Sequence, residues 1–324
     1  MIKMTGVTVV IPLYNKQKYV KRAVDSVISQ THQFFEIIIV NDGSTDGGPV
    51  KVAEIKDDRV RIVHQDNLGE SAARNKGISE AQYELIAFLD ADDQWEPEFL
   101  ENCVRIAGTY PDAGMIGTAY KVFSPEGKVQ YPKFKYVPAE EGIIDNYFKT
   151  ALVKSPVCSS AVVIRKEVFD KIGCFAVGIH YGPDTIMWSK IALNYPVAFI
   201  NKFFANIHKD VKGRVSIKYE VVDDFPLFDY VRSLGMNIND EDNFYIKEYV
   251  YYNYLLRAGR FLRSGNRKMA SLFLSKAKAT KLCRQNYLLG KIALYLPRLV
   301  LKYSTKIWNK INNKLYYDLF RSVL

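Results

Sequence analysis

Asp90 and Asp92 stand two residues apart at the end of the apolar run Leu85–Leu89, with Asp93 beside them. In a strand, residues two apart point to the same side. Two carboxylates on one side call for a cation. A hard divalent ion, Mg²⁺ or Mn²⁺, takes carboxylate oxygens together with substrate phosphates. The chemistry this suits is departure of a diphosphate whose developing charge the metal neutralises. The plain alternative is a solvated acidic turn ahead of a helix starting near Pro97. Asp42 closes a second apolar run, Glu36–Val40 followed by Asn41, where a carboxylate can hydrogen-bond a base or a ribose. Gly43, Ser44 and Thr45 read as a turn, and Asp46 as a cap for the next helix. Asp184 opens the helical pattern Asp184–Leu193. A carboxylate there can take the proton of an attacking hydroxyl, or serve as a helix N-cap.

These residues need elements to hold them. Val7–Pro12, Glu36–Val40, Arg61–His64 and Leu85–Leu89 are short strand-like runs. Tyr19–Gln30 and Glu70–Ala81 have helical spacing between them. Continuous apolar strands separated by helices indicate an α/β fold with a parallel sheet covered on both faces. Ligands of such sheets sit at the carboxyl ends of the strands. Three of the strands end in polar clusters, Pro12-Leu13-Tyr14-Asn15, Asn41 to Asp46, and Asp90 to Asp93, which the topology brings to one crevice. Beyond Ala113 the mixed pattern continues through a β-like run, Ser160–Arg165, and another at Ala198–Ile200. After about Phe225 the chain turns into Tyr-, Leu- and Lys-rich helical stretches.

The strings V-V-I-P-L-Y-N (9–15), I-I-V-N-D-G-S-T-D-G (38–47), A-R-N-K-G (73–77) and F-L-D-A-D-D (88–93), in this order, resemble family-2 glycosyltransferases. The resemblance implies the GT-A fold, a mostly parallel sheet between helices. It also implies a nucleoside diphosphate sugar donor, usually UDP-linked, a divalent metal, and inversion of the anomeric centre by direct displacement. Carried onto this sequence, it implies that Pro12, Tyr14 and Asn15 line the nucleotide site and that Asp42 contacts the base. Arg74 and Asn75 fall near the nucleotide; Arg74 either offsets diphosphate charge or pairs with an acidic strand end. Asp90 approaches the ribose or the metal, and Asp92 is the metal ligand. A later acidic motif matches Gly182 to Lys190, which puts the general base at Asp184. Pro183 stands where the family usually has Glu, and Ile186 where an acidic residue is frequent. His208 falls where the family often has a loop histidine near the diphosphate or metal. His180 lies near Asp184 without a motif, and His32 and His64 read as structural.

The boundaries implied are a catalytic domain over 1–218 (nucleotide-sugar part about 1–112, acceptor part about 113–218) and a basic helical region over 219–324. The 324 residues carry 48% apolar and 25% charged side chains, a globular composition. Tyr (22) and Phe (18) are plentiful enough to serve core and ligand surface alike. Cys103, Cys158, Cys174 and Cys283 form no C-x-x-C pair, which argues against a zinc knuckle and for a reducing compartment.

The net charge of +10 is gathered in the last quarter, where 241–324 hold about 17 Lys and Arg against about 4 Asp and Glu. From Arg298 the cations recur every four residues, at Lys302, Lys306, Lys310 and Lys314, opposite an apolar face that includes Ile307, Trp308, Ile311 and Leu315. Such a helix lies on an anionic membrane or docks on the catalytic domain; no nucleic-acid motif accompanies the charge. A signal peptide and an 18-residue apolar run are both missing, so the expected place is the cytoplasm, peripheral on the inner face of the cell membrane. The expected acceptor is a glycan or polyprenyl-linked precursor of a surface polysaccharide. Two other readings remain. A sugar-phosphate nucleotidyltransferase would want a glycine-rich phosphate loop where this chain has P-L-Y-N, and a degenerate glycan- or membrane-binding protein would explain Pro183 and Ile186.

Overall fold

The computed structural model describes residues 5–179, 182–209, 211 and 226–296. Its strands are β1 (Val7–Leu13), β2 (Phe35–Asp42), β3 (Val60–Gln65), β4 (Leu85–Phe88), β5 (Gln94–Trp95), β6 (Met115–Phe123), β7 (Val129–Gln130), β8 (Glu141–Ile143), β9 (Val162–Arg165) and β10 (Val197–His208). Its helices are α1 (Val20–Ile28), α2 (Gly48–Ala53), α3 (Glu70–Glu80), α4 (Phe99–Thr109), α5 (Tyr147–Val153), α6 (Lys166–Ile172), α7 (Pro183–Asn194), α8 (Leu227–Ser233), α9 (Phe244–Ser264), α10 (Arg267–Lys276) and α11 (Arg284–Ala293). The chain divides into two compact units, Met1–Thr150 with Lys154–Arg214, and Ala151–Val153 with Val215–Leu324.

The first unit is built on one sheet in the order β3-β2-β1-β4-β9-β6-β10-β5. Strands β3, β2, β1 and β4 pair in parallel, as do β6 and β10, while β9 runs antiparallel to both β4 and β6. The sheet is therefore mostly parallel, with β9 reversed at its centre. Every residue of β2 is buried, including Glu36. That carboxylate is tolerated because Oε1 accepts from Thr8 Oγ1 at 2.7 Å and from the backbone N–H of Gln82 at 2.7 Å. Helix α1 buries Val20, Ala23, Val24 and Val27, one apolar stripe at helical spacing. Helix α3 has no such stripe and lies close on β1 because of Gly77, where an added Cβ would come 2.2 Å from Val10 Cγ1. Trp95 stacks on Phe99 at 4.1 Å in the same core.

The second unit is helical. The 21-residue α9 packs against α10 and α11, and Phe261 stacks on Phe273 at 5.5 Å. Glu248, buried on α9, accepts from Thr280 Oγ1 at 2.6 Å and from the backbone N–H groups of Lys281 and Leu282 at 2.8 and 3.0 Å. No helix among the described residues is long and apolar enough to cross a membrane. The amphipathic pattern from Arg298 to Leu319 lies outside the described residues, as does His180.

Two readings of the sequence need correction. The β-like segment Ala198–Ile200 is part of a 12-residue strand, so His208 is the buried last residue of β10 and not a loop residue. The N-cap of α7 is Gly182, in the left-handed conformation at φ 71°, so Asp184 sits inside the first turn.

Candidate active site

Strand register brings the three polar clusters together. Leu13 lies level with Asn41 across the β1–β2 pair, and Val10 lies level with Phe88 across β1–β4. The backbone N–H of Leu89 still donates to Val10 O at 3.1 Å, so the segments after β1, β2 and β4 leave the sheet side by side.

The first two segments are tied to each other. Asn15, at φ 51°, accepts through Oδ1 from the N–H groups of Thr45 and Asp46 at 2.8 and 3.3 Å. Ser44 Oγ accepts from the N–H of Asn15 at 3.2 Å, and Asp46 accepts from those of Gln17 and Gly48, each at 2.9 Å. Asp42 is buried. Its carboxylate accepts from Gln65 Nε2 at 2.7 Å and from the N–H groups of Leu68 and Gly69 at 2.9 and 3.0 Å. Those three bonds close the loop into α3 and leave about one of the carboxylate's four lone-pair positions. Tyr14 is 37% exposed, and Pro12 is half-buried.

The third segment is where charge collects. Asp92 accepts from Lys16 Nζ at 2.6 Å, with only 12% and 11% of the two side chains exposed, and its backbone carbonyl accepts from Arg22. Asp90 pairs with Arg74 Nη2 at 3.0 Å, and the same nitrogen contacts Glu70 one helical turn earlier on α3. Asp93 Oδ2 accepts from Ser160 Oγ at 2.6 Å, and Oδ1 from the backbone N–H of His208 at 2.7 Å. Ser160 Oγ accepts in turn from the N–H of Asp90 at 3.1 Å. The His208 ring lies on Phe123, with centroids 4.5 Å apart.

Crowding three carboxylates here has an electrostatic cost. Loss of water, then the Glu70 and Asp92 charges, push Asp90 up to about 6 against the pull of Arg74. Burial, with the Asp90 and Asp92 charges, lifts Asp93 well above the ordinary carboxylate range. Burial works against the Arg74 charge, but Glu70, Asp90 and Asp184 outweigh it and hold that guanidinium above its ordinary pKa.

Asp184 therefore shares the electrostatic field of Arg74. Phe175 explains how α7 and α3 come to face the same place. Asn75 clamps its backbone, donating to Phe175 O at 2.8 Å and accepting from Phe175 N–H at 2.9 Å. The Arg74 guanidinium lies 5.5 Å from its ring, and Trp188 of α7 meets the other side edge-on at 5.7 Å. Asp184 Oδ1 accepts from the N–H of Thr185 at 2.8 Å.

Lys16, Glu70, Ser160 and Phe175 were missed in the sequence. Glu70 had a signal, an acid four residues before Arg74 on one helix. The other three meet their partners across long stretches of chain, which no local pattern reports.

Among the described residues no three His, Cys, Asp or Glu side chains converge to hold a metal by themselves. Mg²⁺ is usually held by one or two carboxylates and completed by substrate phosphates. The pairing of Asp92 with an ammonium shows that its carboxylate already accommodates a cation.

Residues 8–173 match the family model described as Glycosyl transferase family 2. The chain belongs to that family. Glycosyltransferase GlyA of Streptococcus pneumoniae serotype 4 is 30% identical over 206 residues, covering 60% of this chain and 29% of that protein. Putative glycosyltransferase EpsH of Bacillus subtilis is 43% identical over 109 residues, 33% of this chain and 32% of that protein. The chain thus spans about a third of these two relatives. Among solved structures, S. aureus TarS 1-349 in complex with UDP-GlcNAc superposes with a TM-score of 0.67 at 16% identity, covering 94% of this chain and 92% of that one. That likeness is one of fold, the GT-A arrangement of a mostly parallel sheet with helices, together with a helical C-terminal part.

Proposed function

We propose that this chain transfers a sugar from a UDP-linked donor to a glycan or lipid-linked acceptor of surface-polysaccharide synthesis, with inversion at the anomeric carbon. The observation that carries this reading is the charge field that Asp90 and Asp92, just after β4, share with Arg74 of α3, which also feels Asp184 of α7. The UDP donor is supported by the S. aureus TarS complexes with UDP-GlcNAc and UDP. The acceptor class is supported by the relative named putative teichuronic acid biosynthesis glycosyltransferase TuaG of Bacillus subtilis, 32% identical over 165 residues.

In this reading Tyr14 and Pro12 border the base, while Asn15 and Asp42 shape its pocket through the loops they hold. Asp92, with Asp90, would hold a divalent ion, Mn²⁺ or Mg²⁺, and the His208 backbone N–H braces the neighbouring Asp93. When bound, the ion neutralises charge developing on the leaving diphosphate. Arg74 adds a fixed positive charge on the same side, and Asn75 keeps α3 in register with Phe175. Asp184 takes the proton of the acceptor hydroxyl as its oxygen bonds to the anomeric carbon. The bond from that carbon to the diphosphate oxygen breaks with its electron pair, and the nucleoside diphosphate leaves.

The test is Asp184→Asn. Turnover is expected to fall on the order of 10²- to 10⁴-fold, the usual worth of a general base, while nucleotide affinity stays within a few-fold of wild type. A variant that keeps near-normal turnover rules out this assignment of the base.

A further inference from the structure

The second unit carries a surface that the sugar chemistry does not use. Helix α11 is fixed by its inner face, where Gly290 and Ala293 are buried and a Cβ on Gly290 would come 2.7 Å from Leu274 Cδ2. Its outer face holds Leu288 at 47% exposure, Ile292 at 59%, and Tyr295 in the closing turn at 82%. Leu288 and Ile292 are one turn apart, so the three form a short ridge. Single exposed apolar residues need no explanation, but three on one face do.

The flanks of the ridge are cationic. Arg284 and Lys291 are exposed on the same helix, and Lys281 is exposed just before it. No Asp or Glu occurs between Glu248 and Asp318, and 265–324 hold thirteen Lys and Arg against that one acid. Apolar side chains directed outward between cations, with an aromatic at one end, are the chemistry of a helix lying in the headgroup layer of a bilayer. A nucleic acid would be served by the cations alone and would gain nothing from Leu288 and Ile292.

We propose that the outer face of α11 docks on an anionic lipid bilayer. The ridge enters the acyl boundary while Lys281, Arg284 and Lys291 meet phosphate headgroups. The inference stands apart from the transferase reading, because lipid binding can be measured with no sugar present.

The experiment is sedimentation of the full chain with phosphatidylcholine vesicles, with and without phosphatidylglycerol. Wild type is expected to bind only the anionic vesicles. Leu288→Ser/Ile292→Ser/Tyr295→Ser is expected to weaken that binding on the order of a hundredfold. Lys281→Gln/Arg284→Gln/Lys291→Gln is expected to do so to a similar degree, with a smaller salt dependence. All six residues are exposed, and Arg284 alone also donates to the Lys278 carbonyl, at 3.0 Å, and lies over Tyr287. Melting temperature should therefore be unmoved in the apolar variant and fall only slightly in the cation variant, with UDP affinity unmoved in both; the two readings serve as folding controls. Residues 297–324 are intact in both variants, so unchanged vesicle binding would mean that they alone hold the lipid, and would overturn the proposal. Binding to single-stranded DNA or RNA without vesicle binding would overturn it as well.

Discussion

Two buried acidic regions of this protein are built in opposite ways. In the second unit Glu248 is held by neutral donors, one hydroxyl and two backbone N–H groups. At the end of β4, Asp90, Asp92 and Asp93 crowd together and rely on Lys16, Arg74 and Ser160; the Asp92 charge raises the proton affinity of Asp90, and both raise that of Asp93. The first arrangement holds a helix to a loop and leaves little to bind anything else. The second gathers like charges around two cations and a hydroxyl, an arrangement more frequent at functional sites than in struts. Asp42 in the first unit follows the Glu248 pattern, held by one side-chain amide and two backbone N–H groups, while Glu36 adds the Arg61 guanidinium at 3.6 Å to its two neutral donors.

The largest effect should come from removing the cation between the two α3 and β4 acids. Arg74→Met leaves Glu70 and Asp90 without their buried partner and should cost about 4 kcal/mol of stability in urea unfolding. If it costs under about 1 kcal/mol, the acids are better solvated than the comparison requires. Glu248→Ala leaves three donors unsatisfied and should cost about 3 kcal/mol, with UDP affinity unchanged.

Asp90 gives the site a pH signature. Its folded pKa lies at about 6, above the ordinary 3.8, so the folded state holds its proton longer than the unfolded state. Stability from this group is present below pH 3.8 and is lost as pH rises through about 6. Asp90→Asn should remove that loss, about 3 kcal/mol, and flatten stability between those pH values. A wild-type profile with no fall there would remove the strain from the picture. Smallest of all, Tyr14→Ala should leave stability within about 0.5 kcal/mol, because the side chain is exposed, yet weaken UDP binding several-fold.

The strands and helices around the site were legible because β-branched runs such as E-I-I-I-V and stripes such as Val20, Ala23, Val24 and Val27 carry their period locally. The length of β10 was not. Its register shifts between Ile200 and Ala205, and Asn201 and Lys202 interrupt the apolar run there, so the alternation is lost before His208. The reversal of β9 left no mark on its apolar sequence either, since a strand buried on both faces looks alike in both directions. The acidic clusters and their convergence followed from topology. Their partners did not: Lys16 lies 76 residues from Asp92, and Asn75 lies 100 from Phe175, and such contacts are written in tertiary packing.

We propose that the carboxylates after β4 form a cation-dependent nucleotide site. Isothermal titration of the full chain with UDP, with and without Mn²⁺, on wild type and Asp92→Ala, tests it most directly. The account predicts that Mn²⁺ tightens UDP binding on the order of tenfold or more in wild type and that the substitution abolishes the gain. UDP binding that ignores Mn²⁺, or a gain that survives in Asp92→Ala, would contradict it.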